Sequence, residues 1–333
     1  MLFHHMVVKD SVTLSSMISG LVRNGKPGYA LKLFHRMVSN SSVLVTRSIL
    51  LNVIMACAEL GDWRQGKWVE KNHVLRNGSE FKRDPSVVTV LIYMYVKCGK
   101  LTSVNLLHGV AEVRGDVVAW NAMIKGCGEL GQVEKAIGFA VEMQRVGIDP
   151  DAVTFLELLP MISLIPSLKK GMEAYAQIVK RGFQNNQTIA NSLICMYGRC
   201  GSLGLSVDVF SGIIDKDAIS WTSMMQVYAW NGLAAEVVKL FELMKKTAVQ
   251  PNQYTFIAVL SACKNTGLVE DGMSLLKCMK EQYGLEPDIE HISCVVDMLC
   301  RTGRLTDAYH LIQNSHSEHA KNPVLWGTLL SGS

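Results

Sequence analysis

This sequence of 333 residues lacks several features, and each absence excludes a class of protein. It has no run of basic residues, because Lys and Arg are spread along the chain, so the net charge of +4 indicates neither a charged tail nor a nuclear signal. It also has no clean apolar segment. Residues 152–168 are the most apolar stretch but contain Glu157, Pro160 and Pro166, whereas a membrane-spanning helix needs roughly 20 apolar residues. We therefore expect a soluble protein with no membrane contact.

The nine cysteines contain no C-x-x-C pair, and the spacing of Cys195 and Cys200 is unlike that of zinc ligands. Cys57, Cys127 and Cys263 each lie four residues before a glycine of the repeated pattern described below, which is typical of small core residues. No nucleophile with a paired base stands out. We therefore expect no metal, no cofactor and no catalytic residue, and free thiols in a reducing compartment.

What the sequence does contain is a glycine that recurs every 31 to 38 residues, with a single gap of 70 in which Pro166 lies near the missing mark. Self-similarity at a period of about 20 to 50 residues is typical of a stacked repeat array. Each unit of such an array packs only on its neighbours, so we treat the chain as one solenoid. The recurring glycines, called marker glycines below, are Gly25, Gly61, Gly99, Gly131, Gly201, Gly232, Gly267 and Gly303.

Each unit reads as two helices joined at its marker glycine, and residues 117–151 illustrate the pattern. One apolar face of the first helix consists of Val118, Trp120, Met123 and Ile124. Gly131 ends that helix, because glycine adopts positive φ without steric cost, and a second amphipathic helix follows. We predict an all-α fold of stacked helix-turn-helix repeats. Near Pro166 we expect the first helix to end because proline excludes helix, which makes that repeat locally irregular.

A longer period, of about 102 residues, is superimposed on the first. Met94-Tyr-Val-Lys-Cys-Gly99 recurs 102 residues later as Met196-Tyr-Gly-Arg-Cys-Gly201, and Met298-Leu-Cys-Arg-Thr-Gly303 is a looser third copy. Trp120-Asn-Ala-Met-Ile124 likewise recurs after 101 residues as Trp221-Thr-Ser-Met-Met225. The units therefore form triplets of about 35, 36 and 31 residues.

These strings, together with Asp116-Val-Val-Ala-Trp-Asn-Ala-Met-Ile124 and Thr255-Phe-Ile-Ala-Val-Leu-Ser-Ala-Cys263, resemble the plant pentatricopeptide repeat family. Within it they resemble the PLS subclass, whose standard, long and short repeats alternate and which includes organellar RNA editing factors. The resemblance covers essentially the whole chain. The tetratricopeptide repeat has a similar length, but its W-x-x-L-G-x-x-Y string is absent. The resemblance implies a right-handed α-solenoid superhelix with repeats of 31–38 residues.

On this resemblance, residues 11–320 form an array of nine repeats. Residues 1–10 are the remnant of a short repeat, and residues 321–333 start an extension motif that breaks off, so we expect a chain truncated at both ends relative to the family. The standard repeats are 11–46, 117–151 and 218–252; the long ones are 47–84, 152–186 and 253–288; the short ones are 85–116, 187–217 and 289–320.

In this family each repeat reads one base of single-stranded RNA, chiefly through its fifth and last residues. A last-position Asp suits the ring N–H of U or G, and Asn suits the ring nitrogen of A or C. The family pattern at the fifth position is Thr or Ser for purines and Asn for pyrimidines. The resemblance therefore implies the core target 5′-GUxUA-3′, with the RNA 5′ end at the protein N-terminus. The pairs that carry it are Thr89 with Asp116, Asn121 with Asp151, Asn191 with Asp217, and Thr222 with Asn252.

Other positions have less defined roles. Ser15 and Ser293 extend the base contacts into the flanking repeats, where the last residues are harder to place. The long repeats carry an apolar fifth residue that cannot hydrogen-bond, and we expect them to act as spacers. These residues are Leu51, Leu156 and Ile257. Val118 and Ile219, three residues before a fifth position, are either apolar walls around a base or part of ordinary helix packing, and we favour packing.

The resemblance implies a monomeric, sequence-specific binder of single-stranded organellar RNA that recognises sites of C-to-U editing or of another processing step. A deaminase or other editing factors would act in trans, in a mitochondrion or a plastid. His316-Ser-Glu318 matches the H-x-E string of zinc deaminases, but no later cysteine supplies their P-C-x-x-C string, so we expect no enzymatic activity. Two alternatives stay open: a helical-repeat scaffold for proteins without RNA specificity, and a non-functional truncated copy.

Overall fold

The computed structural model describes residues 11–40, 44–76, 79–100, 116–165, 167–315 and 322–331. Within these ranges the regular elements are all helical, which confirms the predicted all-α class. The chain divides into two compact units, residues 1–161 and 162–333. The α-helices of the first unit, the last of which ends at the boundary, are α1 (Ser11–Arg23), α2 (Pro27–Asn40), α3 (Arg47–Leu60), α4 (Trp63–Val69), α5 (Pro85–Lys97), α6 (Val117–Glu129), α7 (Val133–Arg145) and α8 (Ala152–Ile162).

The second unit continues the same alternation of first and second repeat helices. Its helices are α9 (Leu168–Lys180), α10 (Gln187–Arg199), α11 (Leu203–Gly212), α12 (Ala218–Trp230), α13 (Ala234–Lys245), α14 (Gln253–Thr266), α15 (Val269–Tyr283), α16 (Ile289–Arg301), α17 (Leu305–Gln313) and α18 (Pro323–Ser331). In the first unit, α4 continues into a π-helical stretch, Glu70–Val74, and a 3-10 turn, Glu80–Arg83, precedes α5.

The first helix of each proposed repeat begins at the residue where the sequence places the start of that repeat. From the second repeat onward, the residue before the helix acts as an N-cap. The carboxylate of Asp84, for example, accepts from the backbone N–H groups of Ser86 and Val87 at 2.9 and 3.1 Å. Such a cap stabilises a helix by about 1 kcal/mol. The N-caps with this side-chain bond are Thr46, Asp84, Asp116, Asp151, Asn186, Asp217, Asn252 and Asp288.

All eight marker glycines adopt the left-handed conformation, with φ between 66° and 76°. At Gly131 the glycine N–H donates to the carbonyl of Gly128, and the next N–H, of Gln132, donates to the carbonyl of Cys127, both at 2.9 Å. This pair of bonds ends the first helix and satisfies its last carbonyls. The chain then enters the second helix after two residues, so the predicted helical hairpin is confirmed.

The helix α8, which precedes the missing glycine, differs from the other first helices. It spans 11 residues with Pro160 inside it, whereas α6 and α10 span 13. Beyond its end, the N–H of Ile165 donates to the carbonyl of Ile162 at 3.0 Å, which closes a single turn. Pro166 itself, at which the sequence predicts an irregularity, lies outside the described residues. The described residues before it show a first helix that is shorter than its equivalents.

Each of the two compact units has an apolar core, which forms where neighbouring helical hairpins stack. In the first unit Phe34, Ile54 and Trp120 are among the fully buried side chains, and in the second unit an apolar cluster surrounds Met225 and Phe256. In three places a glycine on a second helix contacts a methionine on the first helix that follows, so that a Cβ at the glycine would overlap the methionine. The pairs are Gly66 with Met94, Gly171 with Met196, and Gly272 with Met298.

The cysteines are all free thiols, and Cys57, Cys127 and Cys263 are buried as predicted. Burial, followed by the charge of Asp62, raises the pKa of Cys57 to about 12, so this thiol stays protonated. In the described ranges no cluster of three His, Cys, Asp or Glu side chains could hold a metal ion. Every helix in those ranges falls short of the length and hydropathy that a bilayer crossing requires.

Candidate nucleic-acid interface

The predicted base-reading residues come together at the joints between successive repeats. The fifth residue lies in the second turn of a first helix, and the last residue of the same repeat caps the first helix of the next one. The four predicted fifth residues are buried to 5–9% exposure, while their partners are half-buried. The fifth residues are Thr89, Asn121, Asn191 and Thr222. These side chains therefore have defined surroundings before any ligand binds.

Asn121 and Asp151, on neighbouring first helices, are hydrogen-bonded to each other. The Nδ2 of Asn121 donates to Oδ1 of Asp151 at 3.0 Å, and the hydroxyl of Thr154 donates to Oδ1 of Asn121 at 2.7 Å. The opposite amide orientation would bring the carboxamide oxygen against the carboxylate, so this network fixes the amide. What this network offers a ligand is the second N–H of Asn121 beside the carboxylate of Asp151, a donor beside an acceptor.

The Thr222 and Asn252 pair is joined through a third residue. The hydroxyls of Thr222 and Thr255 lie 2.9 Å apart, and Oδ1 of Asn252 accepts from the N–H and the hydroxyl of Thr255 at 3.0 and 3.1 Å. The backbone N–H of Asn252 in turn donates to the hydroxyl of Thr255 at 3.2 Å. Because Oδ1 of Asn252 is occupied, its Nδ2 group is left for a ligand.

The Asn191 and Asp217 pair is looser. Nδ2 of Asn191 lies 3.5 Å from Oδ1 of Asp217, and that carboxylate oxygen also accepts from the N–H and hydroxyl of Ser220 at 2.8 Å each. Oδ1 of Asn191 is buried and has no hydrogen-bond partner within the described ranges. A buried acceptor without a donor is costly, so this joint is less well satisfied than the joint of Asn121 and Asp151.

The Thr89 and Asp116 pair has no bridging hydroxyl. Oδ1 of Asp116 caps α6 by accepting from the N–H of Val118 at 3.0 Å, and the residue equivalent to Thr154 is the buried Ala119. Among the described residues, no hydrogen bond to the Thr89 hydroxyl is found. This hydroxyl can therefore rotate to suit a ligand.

The capping hydrogen bonds also set the charge of the last-position aspartates. Burial raises the pKa of Asp151, but the N–H of Thr154 and the side chains of Asn121 and Thr154 outweigh burial, so the pKa is lowered overall. The pKa of Asp217 is lowered in the same way: the bonds from Ser220 and Asn191 outweigh its burial. Both carboxylates are therefore ionised at neutral pH, and each presents an acceptor.

The expectation that Val118 and Ile219 serve ordinary helix packing is wrong. Their side chains are 61% and 60% exposed, beside the fifth and last residues. A helical spacing shows which residues share a face but not how far that face is covered. Here Trp120, Met123 and Ile124 are buried, whereas Val118 is not. Tyr254, at the equivalent place in the next repeat, is also exposed. The second residue of several repeats therefore offers apolar surface next to the polar pair.

The flanking and long repeats behave differently. The Oγ atoms of Ser15 and Ser48 lie 2.6 Å apart, so Ser15 contacts the next repeat through a residue other than Thr46. Ser293 is half-buried, and the Asn322 amide oxygen accepts from the N–H of Val324 at 2.8 Å, as a cap does. The fifth residues of the long repeats are half-buried and apolar. These are Leu51, Leu156 and Ile257.

Charged residues near the ends of the first helices form ion pairs in both units, and among the described residues Arg199 differs from its equivalents Lys97 and Arg301. In the first unit Nζ of Lys97 lies between Glu59 and Glu129, at 3.1 and 3.0 Å. In the second unit the guanidinium of Arg199 stacks on Trp230, with Cζ 4.3 Å from the ring centroid. No carboxylate in the described part of the chain pairs with Arg199, which leaves its charge available to an anion.

Sequence reasoning missed Thr154, Ser220 and Thr255, which are fully buried and contact the base-reading residues or their caps. Each is the third residue of its repeat and follows a last-position Asp or Asn by three residues. That spacing is the pattern of a capping box, in which the two side chains bond each other's backbone, so the signal was present.

Comparisons with known proteins agree with this architecture. The sequence profile of the PPR repeat family matches residues 115–159 and 216–265, and that of the PPR repeat matches residues 12–42 and 254–283. The chain is 34% identical over 329 residues to the Arabidopsis thaliana pentatricopeptide repeat-containing protein At1g18485, which covers 99% of this chain and 33% of that protein. It is 31% identical over 330 residues to the Arabidopsis thaliana pentatricopeptide repeat-containing protein At3g57430, chloroplastic, covering 96% and 36%.

The chain thus spans about a third of the length of these two relatives. Among solved structures, the pentatricopeptide repeat protein PPR10 in complex with an 18-nt psaJ RNA element superposes with a TM-score of 0.65 at 17% identity. That match covers 99% of this chain and 49% of the other, and it shows the shared fold. The names of the two relatives state repeats and no catalytic activity, in agreement with the absence of a predicted catalytic residue.

Proposed function

We propose that this chain, which carries repeats of the pentatricopeptide family, is a sequence-specific single-stranded RNA-binding protein with the core target 5′-GUxUA-3′. The observation that carries the proposal is the direct hydrogen bond between a fifth and a last residue at two joints, Asn121 with Asp151 at 3.0 Å and Asn191 with Asp217 at 3.5 Å. Each joint holds a defined set of donors and acceptors beside exposed apolar side chains. Single-stranded RNA is read by such sets, because its bases are unstacked and expose both faces and edges.

The atoms left unbonded in each pair match the proposed bases. Beside Asn121 and Asp151, a donor and an acceptor fit the carbonyl and ring N–H of U, whereas C would turn a ring nitrogen acceptor toward the carboxylate. Asn252 keeps its Nδ2 donor, which fits the ring nitrogen of A. Asn191 turns its Nδ2 toward Asp217, as Asn121 does toward Asp151, which supports the same base at both joints. The exposed Val118 and Ile219 would contact the faces of the bases.

The proposal extends to the cellular role. We assign the repeats to the PLS subclass and the protein to site recognition in organellar C-to-U editing, as a monomer that works with a deaminase or other editing factors in trans. The 102-residue recurrence of the Met94 and Met196 strings supports the subclass. The word chloroplastic in the name of one relative supports an organelle. A mitochondrion or a plastid is therefore the proposed location.

A second candidate function is protein binding, favoured by a groove of about 900 Å³ between α9 and α11. Met172, Tyr175 and Ile214 line it, and Ile214 is 92% exposed. An exposed apolar surface of this kind often binds another protein. A scaffold of this type would show no base preference, so the two functions separate in one measurement.

The test is a fluorescence anisotropy titration of the purified chain against RNA containing 5′-GUxUA-3′ and against scrambled RNA of the same composition. We expect the target to bind at least about tenfold more tightly, since one well-made base contact discriminates by roughly 1 to 3 kcal/mol. Asn121→Thr should move the preference at the second nucleotide from U to a purine. Ile214→Ser, on the groove, serves as the control and should change neither preference. Equal affinity for all RNAs would contradict the function.

A further inference from the structure

The third residue of a repeat contacts the base-reading pair of the repeat before it. Thr154 and Thr255 are fully buried, yet the hydroxyl of each lies within 3.0 Å of a fifth residue, Asn121 or Thr222, on the preceding first helix. Neither threonine can reach a base, because neither has accessible surface. Any effect on a base must therefore pass through the fifth residue.

The direction of these hydrogen bonds follows from counting protons. The Thr255 hydroxyl has one hydrogen and accepts from the backbone N–H of Asn252 at 3.2 Å. If it donates to Oδ1 of Asn252, then Thr222 must donate to Thr255, and every hydroxyl hydrogen has a partner. The reverse arrangement leaves the Thr222 hydrogen unbonded in a buried site, which is unfavourable. The Thr222 hydroxyl can therefore only accept a hydrogen bond from a ligand.

The same counting applies to Thr154. Oδ1 of Asp151 already accepts from the N–H of Thr154 at 2.9 Å and from Asn121 at 3.0 Å, whereas Oδ1 of Asn121 has only the Thr154 hydroxyl. Donation to Asn121, over the shorter distance of 2.7 Å, satisfies both oxygens. Asn121 is thereby left as a donor. At Thr89, in contrast, the third residue of the next repeat is Ala119, and the hydroxyl can donate as well as accept.

We propose that the third-residue hydroxyls of Thr154 and Thr255 are positioning groups that decide whether the fifth residue of the preceding repeat presents a donor or an acceptor to the RNA base. The inference rests on the proposed function. A tethered Thr222 accepts and suits the exocyclic N–H of A, whereas a free Thr89 can donate and suits the exocyclic oxygen of G. The same residue type at the fifth position thus reads two purines through different third residues.

The first experiment compares RNAs that end in 5′-GUxUA-3′ and 5′-GUxUG-3′. Wild-type protein should prefer the A-terminated RNA. Thr255→Val removes the hydroxyl at nearly constant shape and should reduce the A-over-G ratio by about fivefold, the effect of one hydrogen bond. Thr255→Ser should restore the ratio. The preference for U over C at the second nucleotide should stay unchanged in both variants, because its joint does not contain residue 255.

The second experiment adds a hydroxyl instead of removing one, which covers the case that Thr255→Val unfolds. Ala119→Ser places a hydroxyl beneath Thr89 and should shift the first nucleotide about fivefold from G toward A. An unchanged ratio in folded Thr255→Val and in Ala119→Ser, or an equal loss at all nucleotides, would overturn the positioning role. Wild-type protein without any base preference would instead overturn the proposed function, and the positioning role with it.

Discussion

The hydroxyl of Thr154 and the carboxamide oxygen of Asn121 are joined by a 2.7 Å hydrogen bond across 33 residues of sequence. Asn121 is only 8% exposed, so its polar atoms are held before any RNA arrives. Binding to such a side chain loses little rotamer freedom, and affinity gains from that pre-organisation. The candidate interface is therefore a set of fixed joints between helices, and its behaviour can be predicted joint by joint.

Acidification should weaken the fold through the last-position carboxylates. Hydrogen bonds that outweigh burial lower the pKa of Asp151 and Asp217 below the unfolded value of 3.8. A lowered pKa stabilises the folded state above about pH 4, and that stability is lost as the pH falls through the folded pKa. Asp151→Asn retains a capping oxygen and should show a smaller loss of unfolding free energy between pH 7 and pH 3 in urea titrations. Asp208→Asn, an exposed control on α11, should lose as much as wild type; an equal loss in Asp151→Asn would contradict the assignment.

Gly198→Ala should destabilise the protein by about 1 to 3 kcal/mol, because it overpacks a stiff neighbour. A Cβ at Gly198 would lie 2.5 Å from Cγ2 of Val227, which is fully buried and β-branched. The matched control is Gly138→Ala on α7, where no atom lies within 4 Å of the added methyl. That change should stabilise by roughly 0.5 to 1 kcal/mol through helix propensity. Chemical denaturation of both variants checks the pair, and a shift of the same sign in both would refute the packing argument.

Ile219→Ser should separate binding from stability. Ile219 is 60% exposed in the free protein, so its loss should change the unfolding free energy by no more than about 0.5 kcal/mol. RNA affinity should fall by roughly 1 kcal/mol, because the apolar surface that covers a base face is removed. Ile214→Ser alters another exposed isoleucine and should leave RNA affinity unchanged. Anisotropy titrations with the target RNA measure both, and identical affinities for the two variants would argue against a base contact at residue 219.

Arg199→Gln should weaken RNA binding without changing base preference. The guanidinium stacks on Trp230 and, in the described ranges, lacks a carboxylate partner, so it is free to neutralise a phosphate. Each phosphate contact contributes about 0.7 to the slope of log affinity against log salt for single strands. The slope should drop by about that amount in the variant. Lys239→Gln, whose ammonium pairs with Glu236 at 2.6 Å on the second helix α13, should leave the slope as it is. A slope that does not differ between the two would count against the phosphate contact.

Local sequence signals predict the helices well, because the caps and turns that bound them are local. Asp84 and Asn252 bond N–H groups two or three residues ahead, and Gly131 adopts the one backbone conformation that closes its turn. Pairs such as Asn121 and Asp151 were placed through the register that these signals set. The repeat boundaries, the long-short alternation and the bases remain proposals.

Other features depend on how neighbouring helices pack, which no local pattern encodes. Val118 has the spacing of a core residue but is exposed, because no neighbour covers that face. The contact between Gly198 and Val227 joins residues on different helices, and the sequence around either residue does not predict it. Thr154 is fully buried against Asn121 of the preceding first helix, and this contact depends on how the two helices pack.

The last residue of a repeat is both the N-cap of the next helix and a proposed base-reading residue. This double role limits the residue types that can be used there to change RNA specificity. Only Asp, Asn, Ser, Thr and Gly cap a helix well. Another residue at this position would change the RNA target but would also destabilise the helix that follows. Asp and Asn use Oδ1 for the cap and differ at the second atom of the side-chain head group, a carboxylate oxygen or an amide nitrogen. An exchange between Asp and Asn should therefore change the preferred base and preserve the N-cap. Asp151 and Asn252 are thus suitable positions for changing the RNA specificity of this chain.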